Sequence, residues 1–283
     1  MIIFTTKRNL RNFLKHLKEK GEKLGFVPTM GALHEGHLQL VENSLRENDH
    51  TIVSIFVNPT QFDNKEDLEK YPRPLERDLY RLEQMSPEMI VYIPIAEDIY
   101  EGNIEAKNYD HGGLDQVMEG KYRKGHFDGV ATIVHKLFDI VQPDRAYFGE
   151  KDFQQLQIIR RLVKSQNLPV EIIPVPIVRE EDGLAMSSRN IRLNERQRTA
   201  APYIYQMLLE AKKWAEQGEN VVDIKKKIYK AFENHPVLEL EYFEIADEEN
   251  LQPAEDFEKD KHYRAFIAVY AGNIRLIDNI RIK

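Results

Sequence analysis

Apolar positions in the first two thirds of the chain switch repeatedly between a helical period and short continuous runs, and that alternation predicts a βα succession. Leu10, Phe13, Leu14 and Leu17 mark one face of a helix that Thr6 can cap and Gly21 can end. The runs at 24–27 and 51–57, the second β-branched, predict buried parallel strands with a helix over 38–48 between them. Helical spacing returns over 75–85, 130–141 and from Lys151 through Val163, alternating with expected strands at 89–93, 145–148 and 171–178. Pro174 and Pro176 place the last of these at a sheet edge or keep it short. Residues 63–73 are polar and bounded by proline, which suits a surface connection or a lid. The stretch 112–129, rich in glycine and carrying Lys121, Arg123, Lys124 and His126, reads as a solvated basic loop.

Beyond Asn190 the pattern changes. Asn194 can cap a helix running through Tyr203 and Leu209 to Gln217, a second helix covers 222–234, and β-rich runs follow at 240–245, 263–270 and 273–280. The expected fold is α/β, a Rossmann-like parallel-sheet domain over 1–183 followed by a smaller C-terminal α+β domain over 184–283. The boundary would put residues 182–190 at a hinge.

Candidate chemistry concentrates in turns that follow expected strands. Residues 28–37, Pro-Thr-Met-Gly-Ala-Leu-His-Glu-Gly-His, join a strand to a helix. Gly31 and Gly36 allow close backbone approach, the helix start offers N–H groups to an anion, and His34 and His37, three residues apart, share a helix face from which two imidazoles can meet one phosphoryl group. There is no Gly-Lys-Ser/Thr and no Gly-x-Gly-x-x-Gly, and no third ligand sits at a zinc spacing. Asn58 and Gln61, in Asn-Pro-Thr-Gln-Phe, can donate and accept, although turn chemistry also accounts for Asn-Pro. Gly149-Glu150-Lys151-Asp152 opens another phosphate-suited turn, with Gln155 one helical turn beyond Lys151. Ser187, Ser188 and Arg189 can wrap triphosphate oxygens, or simply cap a helix. Asp78, on the expected helix 75–85, is either a solvated carboxylate or a magnesium ligand. Strand carboxyl ends share one edge of an open α/β sheet, so these turns are expected to line one pocket.

Composition narrows the partners. With 47 acidic against 40 basic residues and a net charge of −7, a duplex nucleic-acid or anionic-membrane surface is disfavoured. The absence of cysteine excludes a disulfide scaffold and thiol catalysis and suits a reducing compartment. The first residues read as no signal peptide and no apolar run reaches a bilayer's width, so a cytoplasmic setting is expected.

These motifs together resemble the pantoate–β-alanine ligase (pantothenate synthetase) family. Residues 28–37 resemble its form of the His-x-Gly-His nucleotide motif shared with class I aminoacyl-tRNA synthetases and nucleotidyltransferases. Residues 186–189 resemble the counterpart of their Lys-Met-Ser-Lys-Ser loop. Blocks 56–62, 125–130, 148–156 and 178–190 extend the match from about residue 5 to 280, loosely over 86–108. The resemblance implies ATP-driven condensation of (R)-pantoate with β-alanine through a pantoyl adenylate, releasing AMP and pyrophosphate, with Mg²⁺ required. It implies catalytic roles for His34, His37 and Lys151. It implies ATP contacts from Met30, Gly31, Ala32, Leu33, Glu35, Gly36, Gly149, Glu150, Asp152, Val178, Met186, Ser187, Ser188 and Arg189. Gln61 and Gln155, with Asn58 assisting, would hold pantoate and β-alanine, and the assembly would be a homodimer. The rivals are a His-x-Gly-His nucleotidyltransferase, a tRNA synthetase and a non-catalytic nucleotide-binding module. The acidic chain lacks an evident anticodon-binding module, and affinity for ATP alone does not need two imidazoles at one phosphate.

Overall fold

The structure, a computed structural model, describes all residues from Met1 to Lys283. In chain order the elements are β1 (Ile2–Phe4), α1 (Lys7–Glu19), β2 (Leu24–Thr29), α2 (Glu35–Glu47), β3 (His50–Ile55), α3 (Lys65–Lys70), α4 (Leu75–Met85), β4 (Ile90–Tyr92), α5 (Ala96–Tyr100), α6 (Met118–Tyr122), α7 (His126–Val141), β5 (Arg145–Gly149), α8 (Phe153–Ser165) and β6 (Glu171–Val175). Then come α9 (Glu195–Ala200), α10 (Tyr203–Glu216), α11 (Val221–Phe232), β7 (Leu238–Asp247), β8 (Tyr263–Ala271) and β9 (Ile274–Arg281). No helix is long and apolar enough to cross a membrane.

Two compact units divide the chain. The first comprises Met1–Gly112, Arg123–Glu150 and Gln155–Pro176, and the second Gly113–Tyr122, Lys151–Gln154 and Ile177–Lys283. Residues 177–183, assigned from the sequence to the first domain, fold with the second unit, as do two short inserts. Long-range polar ties explain it: Arg179 pairs with Asp278, and the Lys151 carbonyl accepts from Asn279, both on β9.

The first unit holds a six-stranded sheet in the order β1-β4-β3-β2-β5-β6, parallel at every pairing. Its central strands are buried on both faces and read as near-continuous apolar runs, as parallel strands covered by helices must. The order in which strands are added reverses between β2 and β5, the switch point of an open α/β sheet, and the segments starting at Met30 and Gly149 leave the sheet there. β6 is an edge strand, in keeping with its proline. β1 was not expected. Its three residues lack a periodic signature and become a strand only by pairing with β4.

In the second unit β7, β8 and β9 form an antiparallel sheet whose inner face packs on α10 and α11 around Leu208, Ile224, Ile228, Phe243 and Ile267. The long helix expected from Asn194 to Gln217 is two helices. Asn194 caps only α9, and Pro202, which has no N–H, starts α10. The basic loop over 112–129 is also corrected: α6 lies within it, and Glu119 and His126 are buried.

Candidate active site

In the first unit the Met30–His37 segment is held from three sides. Thr29 Oγ1 donates to the Ser54 carbonyl and accepts from Gly31 N. Gly31 and Ala32 turn the chain through left-handed conformations, φ 79° and 50°, and a Cβ on Gly31 would stand 3.0 Å from Asp78 Oδ2. Ala32 N and Leu33 N donate to the two Asp78 oxygens at 2.7 and 2.8 Å. Arg81, one turn further along α4, donates to the Leu33 carbonyl at 3.2 Å and pairs with Glu35.

Asp78 is therefore not a solvated carboxylate. It is 1% exposed, and each of its oxygens accepts from a backbone N–H group. Burial pushes its carboxyl above the usual range, against the pull of the two N–H bonds and of Arg77 and Arg81. Its geometry is that of a support for the loop.

His34 and His37 come together as expected, but by a capping box: His34 stands outside the helix in extended backbone. His34 is the N-cap of α2: its Nδ1 accepts from Gly36 N at 3.2 Å, while its own N–H donates to His37 Nδ1 at 3.4 Å. The rings lie 4.0 Å apart between centroids. Each Nδ1 is thus an acceptor, which in a neutral imidazole leaves the ring proton on Nε2. The cap fixes tautomer and orientation together, giving two N–H donors at a helix N-terminus.

Gln61 is positioned by Asn58 and His126, together with Thr60, Tyr100 and Gly129, which the sequence did not single out. Asn58, 1% exposed, donates to Gln61 Oε1 at 3.1 Å and to the Gly129 carbonyl at 3.2 Å, and accepts from Tyr100 at 2.6 Å and Thr60 at 3.2 Å. With its amide engaged at both ends, Asn58 holds Gln61 rather than a ligand. Gln61 Nε2 approaches Met30 Sδ at 3.2 Å, linking it to the His34 loop. His126 Nδ1 lies 2.8 Å from the Gln61 carbonyl and Arg123 lies 3.1 Å from His126 Nε2, so part of the basic stretch serves this loop from inside. Gly129 lets α7 approach, since a Cβ there would fall 2.3 Å from the Thr60 carbonyl. A glycine inside an apolar helical run was the one sequence signal for this contact.

Gln155, half-buried on α8, belongs to the first unit, whereas its neighbour Gln154 is a structural residue of the second, bonded to Leu114, Val117 and Glu119. Of the remaining expected site residues, Gly149 and Glu150 belong to the first unit and the others to the second. Lys151, in a 3-10 turn over Glu150–Asp152, stands 3.9 Å from Asp152. Met186 N donates to the Val178 carbonyl, Arg179 bridges to Ala185, and Ser187 Oγ accepts from Arg189 N at 3.2 Å. Residues 178–190 are thus a folded hairpin that presents Ser187, Ser188 and Arg189 together.

The comparisons agree along the whole chain. The family model of pantoate-beta-alanine ligase matches residues 2–281. The pantothenate synthetase of Flavobacterium psychrophilum is 53% identical over 284 residues, spanning 100% of both chains. A crystal structure of the pantothenate synthetase from Thermus thermophilus superposes with a TM-score of 0.91 at 42% identity, covering 100% of this chain and 99% of that one. The pantoate-beta-alanine ligase of Francisella tularensis, solved in complex with beta-gamma ATP and beta-alanine, gives a TM-score of 0.82 at 36% identity over 99% and 97% of the two chains. The chain belongs to the pantoate–β-alanine ligase family.

Proposed function

We propose that this chain makes pantothenate by condensing (R)-pantoate with β-alanine at the expense of ATP, in two steps. A carboxylate resists attack by an amine, so it is first activated. A pantoate carboxylate oxygen attacks the α-phosphorus, the bond from that phosphorus to the bridging oxygen of the β-phosphate breaks, and pyrophosphate leaves. The β-alanine nitrogen then attacks the acyl carbon of the adenylate, the bond from that carbon to the phosphate oxygen breaks, and AMP departs as the nitrogen loses a proton.

The observation that carries this reading is the fixed imidazole pair. His34 and His37, each accepting at Nδ1, offer Nε2–H donors at a helix N-terminus that follows a parallel strand. Donors so held stabilise negative charge developing on the α-phosphoryl oxygens without reorganising, and the Nε2 protons of His34 and His37 stay on their rings as hydrogen-bond donors. Lys151, Ser187, Ser188 and Arg189 take the β- and γ-phosphates and the departing pyrophosphate. Backbone groups at Met30–Leu33, Gly149, Val178 and Met186 frame the nucleoside, with Glu35, Gly36, Glu150 and Asp152 alongside. Gln61, steadied by Asn58, and Gln155 bind pantoate and β-alanine. Magnesium belongs to the proposal as an ion held mainly by the triphosphate oxygens. Asp78, whose two oxygens each keep a lone pair beyond the one backbone N–H bond, is the candidate protein ligand. A homodimer in the cytoplasm completes the proposal.

The test is isotope exchange: labelled pyrophosphate, ATP and Mg²⁺ with purified protein, with and without pantoate, omitting β-alanine. Label should enter ATP only when pantoate is present. Exchange without pantoate, or only with a phosphorylated acceptor, would point to a nucleotidyltransferase, and no exchange with any acceptor to a binding module.

A further inference from the structure

On β9 the inward and outward alternation breaks at one place. Ile274, Leu276 and Asp278 face inward as their period requires, yet Asn279, due to face outward, is also buried, at 2% exposure against 4% for Asp278. Two consecutive buried polar residues on an edge strand would cost stability unless each is fully partnered. Their partners are the two segments of the second unit to which phosphate binding is assigned.

Asn279 Nδ2 donates to the Lys151 carbonyl at 2.9 Å, and its Oδ1 accepts from Arg264 at 2.6 Å. Arg264, 6% exposed, also donates to Glu248 and lies over the ring of Phe153, 4.0 Å from its centroid. The Lys151 turn is thus gripped at its carbonyl and again at Phe153, two residues on. Asp278 takes both ends of the Arg179 guanidinium, at 2.6 and 3.0 Å. Arg179 in turn donates to the Gly183 carbonyl, stacks 3.7 Å from the Tyr205 centroid and bridges to Ala185, so it closes the hairpin that leads into Ser187. Burial pushes the Asp278 carboxyl up against the pull of Arg179 and of the Lys151 charge, so the ammonium of Lys151 is itself felt at this pair.

We propose that Asp278 and Asn279 are positioning residues for adenylate formation. Asn279 sets the backbone from which Lys151 reaches the phosphates, and Asp278, through Arg179, sets the hairpin that carries Ser187, Ser188 and Arg189. One strand pair thereby ties both phosphate-binding segments to the same frame. This rests on the pantoate–β-alanine ligase reading of the site.

The experiment measures pantoate-dependent pyrophosphate exchange in the full chain and in Asn279→Ala, Lys151→Ala and the double variant, with urea unfolding followed through Trp214, the one tryptophan. Displacing a phosphate-binding group by about 1 Å costs on the order of 100-fold. Asn279→Ala should therefore slow exchange at saturating ATP by roughly 10- to 100-fold with the Lys151 side chain present and by less than about 2-fold without it. Its effect on unfolding should be the same in both backgrounds. A purely structural role predicts the opposite, equal slowing in both backgrounds, and that result would overturn the proposal, as would wild-type exchange by Asn279→Ala. Should Asn279→Ala fail to fold, Asn279→Asp is isosteric, keeps an acceptor for Arg264 and removes the donor to Lys151, and it should slow exchange in the same way. Asp278→Asn should raise the ATP concentration for half-saturation several-fold; an unchanged value would remove Asp278 from the proposal. Failure of the underlying reading shows separately, as a wild-type chain that exchanges no label with pantoate present, and would take this proposal with it.

Discussion

Two turns of this chain leave parallel strands carrying groups suited to phosphate, and they are held by opposite means. The turn after β2 is closed mostly by itself: Thr29 accepts from Gly31, His34 caps its own helix, and His37 answers the His34 N–H. Its distant supports are Asp78 and Arg81, both on α4, and Gln61 at Met30. The turn after β5 passes through a single 3-10 turn, and the ties described above come from β8 and β9, the carbonyl of Lys151 being held from 128 positions away. The difference follows from the groups displayed. An imidazole must have its tautomer as well as its position fixed, which needs a bond to the ring itself and is most readily made by adjacent backbone. A lysine is a point charge on a flexible stem, so fixing its backbone suffices and a remote strand can do it.

The comparison breaks most visibly at Arg264. Arg264→Leu removes the charge between Glu248 and Asn279 and the stack on Phe153, and losing one partner of a buried pair costs about 3–5 kcal/mol. Urea unfolding read by Trp214 fluorescence should show a loss of that size. A loss below about 1 kcal/mol, the value of an exposed ion pair, would show the second turn to be held by something else.

A smaller effect is expected in the first unit. Asp78→Asn keeps the shape but sets an N–H₂ group against one of two backbone N–H donors, an uncompensated buried group worth about 1–3 kcal/mol. Amide hydrogen exchange at Ala32 and Leu33 should accelerate accordingly while the second unit's unfolding is unchanged. If those two amides keep their protection, the loop does not depend on its distant carboxylate.

The smallest effect sharpens the contrast through pH. Burial pushes the Glu248 carboxyl up, but Arg281 and Arg264 together outweigh it and hold the group below the usual carboxylate range. A carboxyl lowered on folding contributes stability that is complete above its unfolded value, about 4.3, and is lost as pH falls through the folded one. Asp78, raised by burial, works the other way, binding its proton more readily in the folded state. Acid should therefore loosen the second unit through Glu248, and Glu248→Gln should flatten the acid limb of Trp214-detected unfolding. An unchanged limb would mean that Glu248 does not contribute.

Much of the molecule was legible in advance because its signals are local. Thr6 caps α1, and the apolar runs are β2 and β3. The spacing of His34 and His37 announced their nearness, and the capping box brings the rings together. Errors arose where a polar residue's partner is remote. Asp78 looked solvated because a helix position says nothing of what packs over it. Asn58 looked like a ligand group because its partners Tyr100 and Gly129 lie 42 and 71 residues away.

By itself the sequence determined the βα succession, the caps, the paired imidazoles and the family, all of which depend on residue type at short spacing. Only the tertiary structure decided which carboxylate steadies the His34 loop, which amide holds Gln61, and that β9 governs both Lys151 and the Arg179 hairpin. The physical reason is that apolar burial repeats along the chain and so leaves a period. A buried polar group is satisfied by whichever donor or acceptor folding brings within about 3 Å, and nothing along the chain encodes that distance.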